Sequence, residues 1–297
     1  MMPTIDIIRH AQAAHNIHGS HLRDPTLTDD GVAECDLLRE AYPFGPMVTN
    51  ILSSPLRRAI DTAILGILPT VHDHIKVKLL PELQEINPSP SSTGIPKSTL
   101  SYRYARGHNV DMDDLEEDWY HKGFDTPYAP EVHKVEARAR SARNYLRMLA
   151  RRAIEAGQIN AHIVVVTHGE FAHWLTRDFR GVSERRNSDW HNTECRSYRI
   201  ENIFGLDVSD PVLAETTASI VQRNGPLFYW SINLLTMYSA RELAARRVFE
   251  YGEMLRVRER VTSYRAAEES EQADDEYDER DISDESNGWV DVDDESD

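Results

Sequence analysis

Apolar residues recur along the chain in two rhythms: short β-branched runs, and positions three or four apart. Residues 3–8 hold Ile5, Ile7 and Ile8 and stop abruptly at Arg9-His10, which predicts a short strand. A polar loop with Gly19, Asp24 and Pro25 follows, and Thr28 then stands as a helix N-cap. Asp29 and Asp30 come next, where the positive end of a helix favours acids. Val32, Leu37, Leu38 and Tyr42 are expected on the inward face of that helix, and Pro43 ends it. Residues 48–52 predict a second strand. Ser53-Ser54-Pro55 reads as a cap followed by proline in the first helical turn, with Ile60, Ile64 and Leu68 at helical spacing behind it.

Residues 75–80 predict a third strand and residues 162–167 a fourth. The core of the fourth, Ile163-Val164-Val165-Val166, is apolar throughout, as in a strand covered on both faces. Between these two lies an insertion, about residues 86–130, beginning as a Pro/Ser-rich loop and continuing polar; a charged helix is expected over residues 131–155. Residues 196–200 are expected to add an edge strand. Residues 239–260 carry a one-sided apolar pattern through Ala240, Leu243, Ala244, Val248, Tyr251 and Leu255, which predicts a helix. Strands alternating with helices imply an α/β fold, with a mostly parallel central sheet flanked by helices and an inserted cap.

Charge sharpens the domain division. The 297 residues carry 33 Lys+Arg against 50 Asp+Glu, a net of −17, yet residues 266–297 alone hold 16 acids and one base. The remaining 265 residues have a net charge of only −2. We therefore expect one α/β domain over residues 1–265 and an acidic, disordered tail over residues 266–297, in which Trp289-Val290-Asp291-Val292 is a small apolar island. A nearly neutral body is a poor general nucleic-acid binder. Two cysteines, Cys35 and Cys195, build no disulfide framework and are expected to be inert. No window approaches the about 18 apolar residues of a membrane span, and no leader pattern opens the chain, so a cytoplasmic location is expected.

Arg9-His10 ends the first strand, and Thr167-His168-Gly169 ends the fourth. In open α/β sheets the carboxyl ends of strands line the ligand crevice, so the two histidines are expected to meet there. Arg57-Arg58, at the start of the helix after the second strand, brings guanidinium to the same edge, and Arg forks suit tetrahedral oxyanions. Glu85 follows the third strand. Cations to hold a phosphate, an imidazole to attack and a carboxyl to supply a proton together describe phosphoryl transfer. His15, His18, His21, His72 and His74 lack cysteines or clustered carboxylates and are expected to be ordinary loop residues, not metal ligands. Within the insertion, Tyr102-Arg103-Tyr104-Ala105-Arg106 fits either a pocket cover that grips an anion or a solvated helix. Trp119, Phe124 and Tyr128 are expected to pack the insertion, and His173 and Trp174 to pack beside His168.

Five ordered motifs resemble the histidine phosphatase superfamily, in its phosphoglycerate-mutase-like branch. Arg9-His10-Ala11-Gln12-Ala13-Ala14-His15-Asn16 resembles the opening signature, with Ala11 where the family has glycine. The others are Leu27-Thr28-Asp29-Asp30-Gly31, Ser54 through Ala63, Leu83-Gln84-Glu85 and Val166-Thr167-His168-Gly169. The segment after Glu85 departs from true mutases and is more similar to a divergent group found in fungi. The resemblance implies that His10 is the nucleophile that becomes phosphorylated. It implies further that Arg9, Arg58 and His168 surround the phosphoryl group, that Glu85 is general acid and then base, and that Asn16 and Gly169 bind phosphate. It implies no cofactor and no metal. The expected activity is metal-independent, acid-phosphatase-like hydrolysis of a small phosphomonoester. A mutase, a repurposed enzyme with a non-phosphate substrate and a non-catalytic binding protein remain alternatives on the same fold.

Overall fold

A computed structural model describes residues 2–104, 109–182, 188–205 and 209–224. The expected helix over 239–260, the acidic tail, its Trp289 island, and Ala105 and Arg106 lie outside the described residues.

Seven strands form a single sheet. They are β1 (Thr4–Arg9), β2 (Val48–Ser53), β3 (Val77–Leu79), β4 (Val110–Asp111), β5 (His162–Thr167), β6 (Cys195–Ile200) and β7 (Leu213–Glu215), in the order β4-β3-β2-β5-β1-β6-β7. The first five run parallel, and β6 and β7 add antiparallel pairings beside β1. The fold is therefore α/β with a mostly parallel sheet. Every residue of β5, the central strand, is buried, as its unbroken apolar run predicts.

The helices are α1 (Ala14–His18), α2 (Asp29–Ala41), α3 (Arg57–Thr62), α4 (Lys97–Tyr104), α5 (Val132–Glu155), α6 (Gly169–Thr176) and α7 (Thr217–Asn224). One core packs α5 and α6 against β1 and β5 through Ile5, Ile7, Ala142, Leu146, Val165 and Phe171. The other packs α3 and the insertion on the opposite face through Ile8, Ile51, Ile60, Leu100, Trp119 and Val164. Alternate residues of the same strands thus feed opposite layers.

Several local expectations are corrected. Thr28 caps α2 as predicted, its Oγ1 accepting from Gly31 N at 3.0 Å. The buried stripe of α2, however, runs through Gly31, Cys35 and Leu38 to Tyr42, while Val32 and Leu37 are 41% and 65% exposed. At 100° per residue, positions 32 and 37 fall off the face defined by 31, 35, 38 and 42. Ser53-Ser54 does not cap α3: the N-cap is Leu56, and α3 runs on into a π-helical turn, Ala63–Ile67. β6 is not an edge strand, because β7 pairs outside it. The insertion contributes a strand of its own, β4, whose two residues pair with β3.

Gly31 explains one motif physically. A Cβ there would lie 2.0 Å from the carbonyl oxygen of Gln12, so only glycine lets α2 press against the loop that carries His10. Thr28 Oγ1 also donates to Gln12 Oε1 at 2.7 Å, tying the same loop to the helix start.

Candidate active site

Three adjacent strands end level with one another. Arg9 of β1 is in register with Thr167 of β5, and Ser53 of β2 with Val166. The next residues, His10, His168 and Ser54, therefore emerge together at the carboxyl edge of the sheet. His10 N donates to Thr167 O at 2.9 Å, and Ser54 N to Val166 O at 2.9 Å. The His10 and His168 rings lie 5.1 Å apart. Sequence reasoning placed both residues, and the structure brings them together.

His10 is held on both sides. Its Nδ1 donates to Ala11 O at 2.7 Å, and Arg58 Nε donates to its Nε2 at 3.2 Å. A carbonyl only accepts, so the proton sits on Nδ1 and Nε2 keeps its lone pair. Burial, reinforced by Arg58, Arg9 and His15, lowers His10 well below the ordinary histidine value, so the ring is neutral at pH 7. His168 is lowered likewise, chiefly by burial and then by Arg58 and His10. Its Nε2 shares a hydrogen bond with Ser54 Oγ at 2.8 Å.

Arg58 is buried. Its Nη1 donates to Ser91 O at 2.7 Å, and burial pulls it down to about 10, which leaves it cationic at neutral pH. Arg9 Nη1 donates to Trp190 O. Arg57 turns away from the site and pairs with Asp24, a buried residue with φ of +40°. Burial raises Asp24 to about 6 against the opposing pull of Arg58 and Arg57.

Glu85 sits at the amino end of α6. Its carboxylate accepts from Phe171 N at 3.2 Å and Ile86 N at 3.0 Å, with Glu170 N at 3.5 Å. The positive helix end and these amides orient the side chain. Gly169 admits close packing there: a Cβ would lie 2.7 Å from Ser188 Oγ and 3.4 Å from Arg9 Nε. Asn16 is exposed, and its Oδ1 accepts from Ala13 N at 2.9 Å, capping α1. Ala11, standing where the resembling family has glycine, is accommodated: it is buried, its N donates to Thr62 Oγ1 at 3.0 Å, and its φ is not positive.

Several residues around the site carried no functional signal in the sequence. His15, expected as an ordinary loop residue, lies with its ring 5.5 Å from that of His10. Lys122, one of several cations in the polar insertion, is buried. Its Nζ donates to Glu85 O at 2.7 Å, Asn87 O at 3.1 Å and Ser92 O at 2.6 Å. Asn192 Nδ2 donates to His10 O at 2.9 Å. Only His15 could have been found, because it sits inside the first motif; the other two are brought in by tertiary packing.

The remaining candidates fall outside this cluster. Tyr104 donates to Asp61 at 2.8 Å and Arg103 pairs with the same residue, so this pair packs on α3. Trp119 is buried while Phe124 is 66% exposed. His173 is buried and joins Asp178 O to Asp189 N. Burial pushes the thiols of Cys35, to about 12, and Cys195 upward, and both are unbridged. Among the described residues no group of three or more His, Cys, Asp or Glu is arranged to hold a metal ion, and no helix is long and apolar enough to cross a membrane. A cavity of about 620 Å³ opens at the other end of the sheet, lined by Asn50, His72, Arg152 and Asn160 among others, and includes none of the residues grouped around His10.

Two histidines and two arginines thus gather at the carboxyl edge of a mostly parallel α/β sheet. The chain belongs to the histidine phosphatase superfamily (branch 1), whose family model matches residues 5–203. Among solved structures it is similar to an ecdysone phosphate phosphatase from Bombix mori (15% identity, 72% of this chain and 92% of that one, TM-score 0.49). It is also similar to a phosphoserine phosphatase from Entamoeba histolytica (18% identity, 73% and 98%, TM-score 0.41). A third is a mycobacterial glucosyl-3-phosphoglycerate phosphatase (17% identity, 72% and 96%, TM-score 0.43). No curated protein sequence matches the chain.

Proposed function

We propose that the protein hydrolyses a small phosphomonoester through a phosphohistidine on His10. The observation that carries this reading is the state of the His10 ring, neutral and with its proton fixed on Nδ1 by Ala11 O. Nε2 thereby keeps its lone pair, facing Arg58 Nε at 3.2 Å, with the His168 ring 5.1 Å from that of His10.

Nε2 attacks phosphorus, the bond to the ester oxygen breaks, and Glu85 gives its proton to the departing alcohol. Water then attacks the phosphoryl group, the phosphorus–nitrogen bond breaks, and the water's proton returns to Glu85. Arg9, Arg58 and His168 hold the equatorial oxygens, where preorganised donors stabilise developing charge most strongly. Gly169 and Asn16 complete the phosphate site. For Asn16 this requires its side chain to keep capping α1 through Oδ1 while the amide donates outward. The step sequence draws on no metal.

The test is phosphate release from an aryl phosphate in EDTA, comparing wild type with His10→Ala. Wild-type turnover that vanishes in the variant, with an acid-labile, alkali-stable phosphoryl adduct in wild type only, is the expected result. Undiminished turnover by His10→Ala rejects this nucleophile. Transfer to an added phosphate acceptor without phosphate release identifies a mutase instead.

A further inference from the structure

The geometry points to His15 as a phosphoryl-binding residue of this site, its Nδ1 donating to an oxygen of the bound phosphate. The inference rests on the function proposed above and adds a ligand that the family resemblance does not assign.

Two imidazoles flank the nucleophile at nearly equal distance. The His168 ring lies 5.1 Å from that of His10, tilted by 57°, and the His15 ring 5.5 Å from it, tilted by 51°. Both flanking rings present a buried Nδ1 that has no partner among the described residues. Native interiors rarely leave a polar atom in that state, and an active site awaiting its ligand is one setting where they do. For His168 the other ring nitrogen is already taken by Ser54. On His15 the unpartnered Nδ1 belongs to a ring beside the nucleophile, where a phosphoryl oxygen on His10 can meet it.

Charge identifies the ligand. Burial first, and then Arg58 and Arg9, hold His15 down to about 3, so it is a neutral imidazole inside a cationic pocket. A neutral imidazole has one N–H to give, and the field of two guanidiniums selects an anion to receive it. A phosphoryl group on His10 Nε2 has three equatorial oxygens. Arg9 and Arg58 do not exhaust their acceptor sites, so one hydrogen bond from each flanking ring can be added. His15 is the second residue of α1, which begins four residues after His10, and its ring lies 5.5 Å from that of the nucleophile.

Three variants of the full chain test this by calorimetric titration with inorganic phosphate, alongside KM and kcat for an aryl phosphate. His15→Phe keeps a ring and removes both nitrogens, His15→Asn retains an N–H near the place of Nδ1, and His15→Gln moves it to the place of Nε2. His15→Phe and His15→Gln are expected to weaken phosphate binding by about tenfold or more, and His15→Asn by less than about threefold. Wild-type affinity in a folded His15→Phe overturns the inference. Should His15→Phe not fold, the other pair decides, and equal affinity of His15→Asn and His15→Gln overturns it. Wild type that neither binds phosphate nor hydrolyses the ester defeats the proposed function and this inference together. Wild type that does both, with His15→Phe unaffected, defeats the inference alone.

Discussion

Arg58 Nε donates to His10 Nε2 across 3.2 Å, so the guanidinium occupies the lone pair that the proposed chemistry requires. The same guanidinium is anchored from behind by Ser91 O at 2.7 Å, and Arg58 O accepts from Thr62 Oγ1 at 2.7 Å. Thr62 in turn accepts from Ala11 N, the residue whose carbonyl sets the His10 tautomer. Arg58 and His10 are therefore one unit, whose internal hydrogen bond, on the function proposed above, is exchanged for contacts to phosphate.

That coupling makes Arg58→Lys a severe change despite the kept charge. An ammonium cannot reproduce the planar fork that reaches Ser91 O and the His10 ring at once. We expect kcat/KM for an aryl phosphate to fall by about 100-fold or more, in the range found for loss of a single preorganised donor. A loss below about fivefold would show that Arg58 supplies charge only.

Lys122 is a clamp. Its three carbonyl acceptors span residues 85–92, the loop that carries Glu85 at one end and the Ser91 anchor of Arg58 at the other. Lys122→Met leaves those carbonyls unmet in a buried setting, and we expect a loss of about 3 kcal/mol of unfolding free energy, read as a lowered urea midpoint. Turnover of the folded fraction should fall as well, because both Glu85 and Arg58 lose their support. A variant with an unchanged midpoint would mean that the loop stands without the clamp.

β1, β2, β3, β5 and β6, and the approach of His10 to Arg58 and His168, were legible because each rests on local sequence. Ile163 to Val166 is an uninterrupted apolar run, Ile5 to Ile8 is broken only by Asp6, and His168 and His10 stand two residues beyond them. What escaped depends on distant partners. β4 is two residues long and exists because β3 offers it an edge. Lys122 is distinguished only by the carbonyls that the 85–92 loop happens to bring to it, and Asn192 by the His10 carbonyl. Val32 and Leu37 misled because hydrophobicity was read without the phase that Gly31 and Cys35 impose, residues too small to draw attention.

Gly31 gives a structural test far from any charged group. In Gly31→Ala the new methyl carbon would fall 2.0 Å from Gln12 O, a main-chain atom that cannot swing aside. Either α2 retreats or the 11–13 loop shifts, and that loop holds the His10 tautomer through Ala11 O. We expect destabilisation of about 2 kcal/mol or more together with reduced kcat, because overpacking against backbone forces movement. An unchanged thermal midpoint would rule out the close approach that this motif is taken to require.

Acid should destabilise the fold, and the sign follows from the buried groups. His10, His15, His168 and His173 are all lowered in the folded state, mainly by burial. Below the ordinary histidine value of 6.5 the unfolded chain therefore binds protons that the folded chain refuses. The stability associated with these rings is complete above that pH and is lost as pH falls towards the folded values, by up to about 1.4 kcal/mol per pH unit for each ring. Asp24 acts in the opposite sense. Raised from 3.8 to about 6, it favours the fold at low pH, and that contribution disappears as pH rises through about 6. One carboxylate offsets one imidazole between those values, and the other rings prevail. Urea midpoints measured at pH 7 and pH 5 should thus drop in wild type, drop less in His15→Phe, and drop more in Asp24→Asn, which lacks the offset. If His15→Phe loses as much stability as wild type over that interval, His15 is not held neutral in the fold, and the cationic pocket assigned to it is wrong.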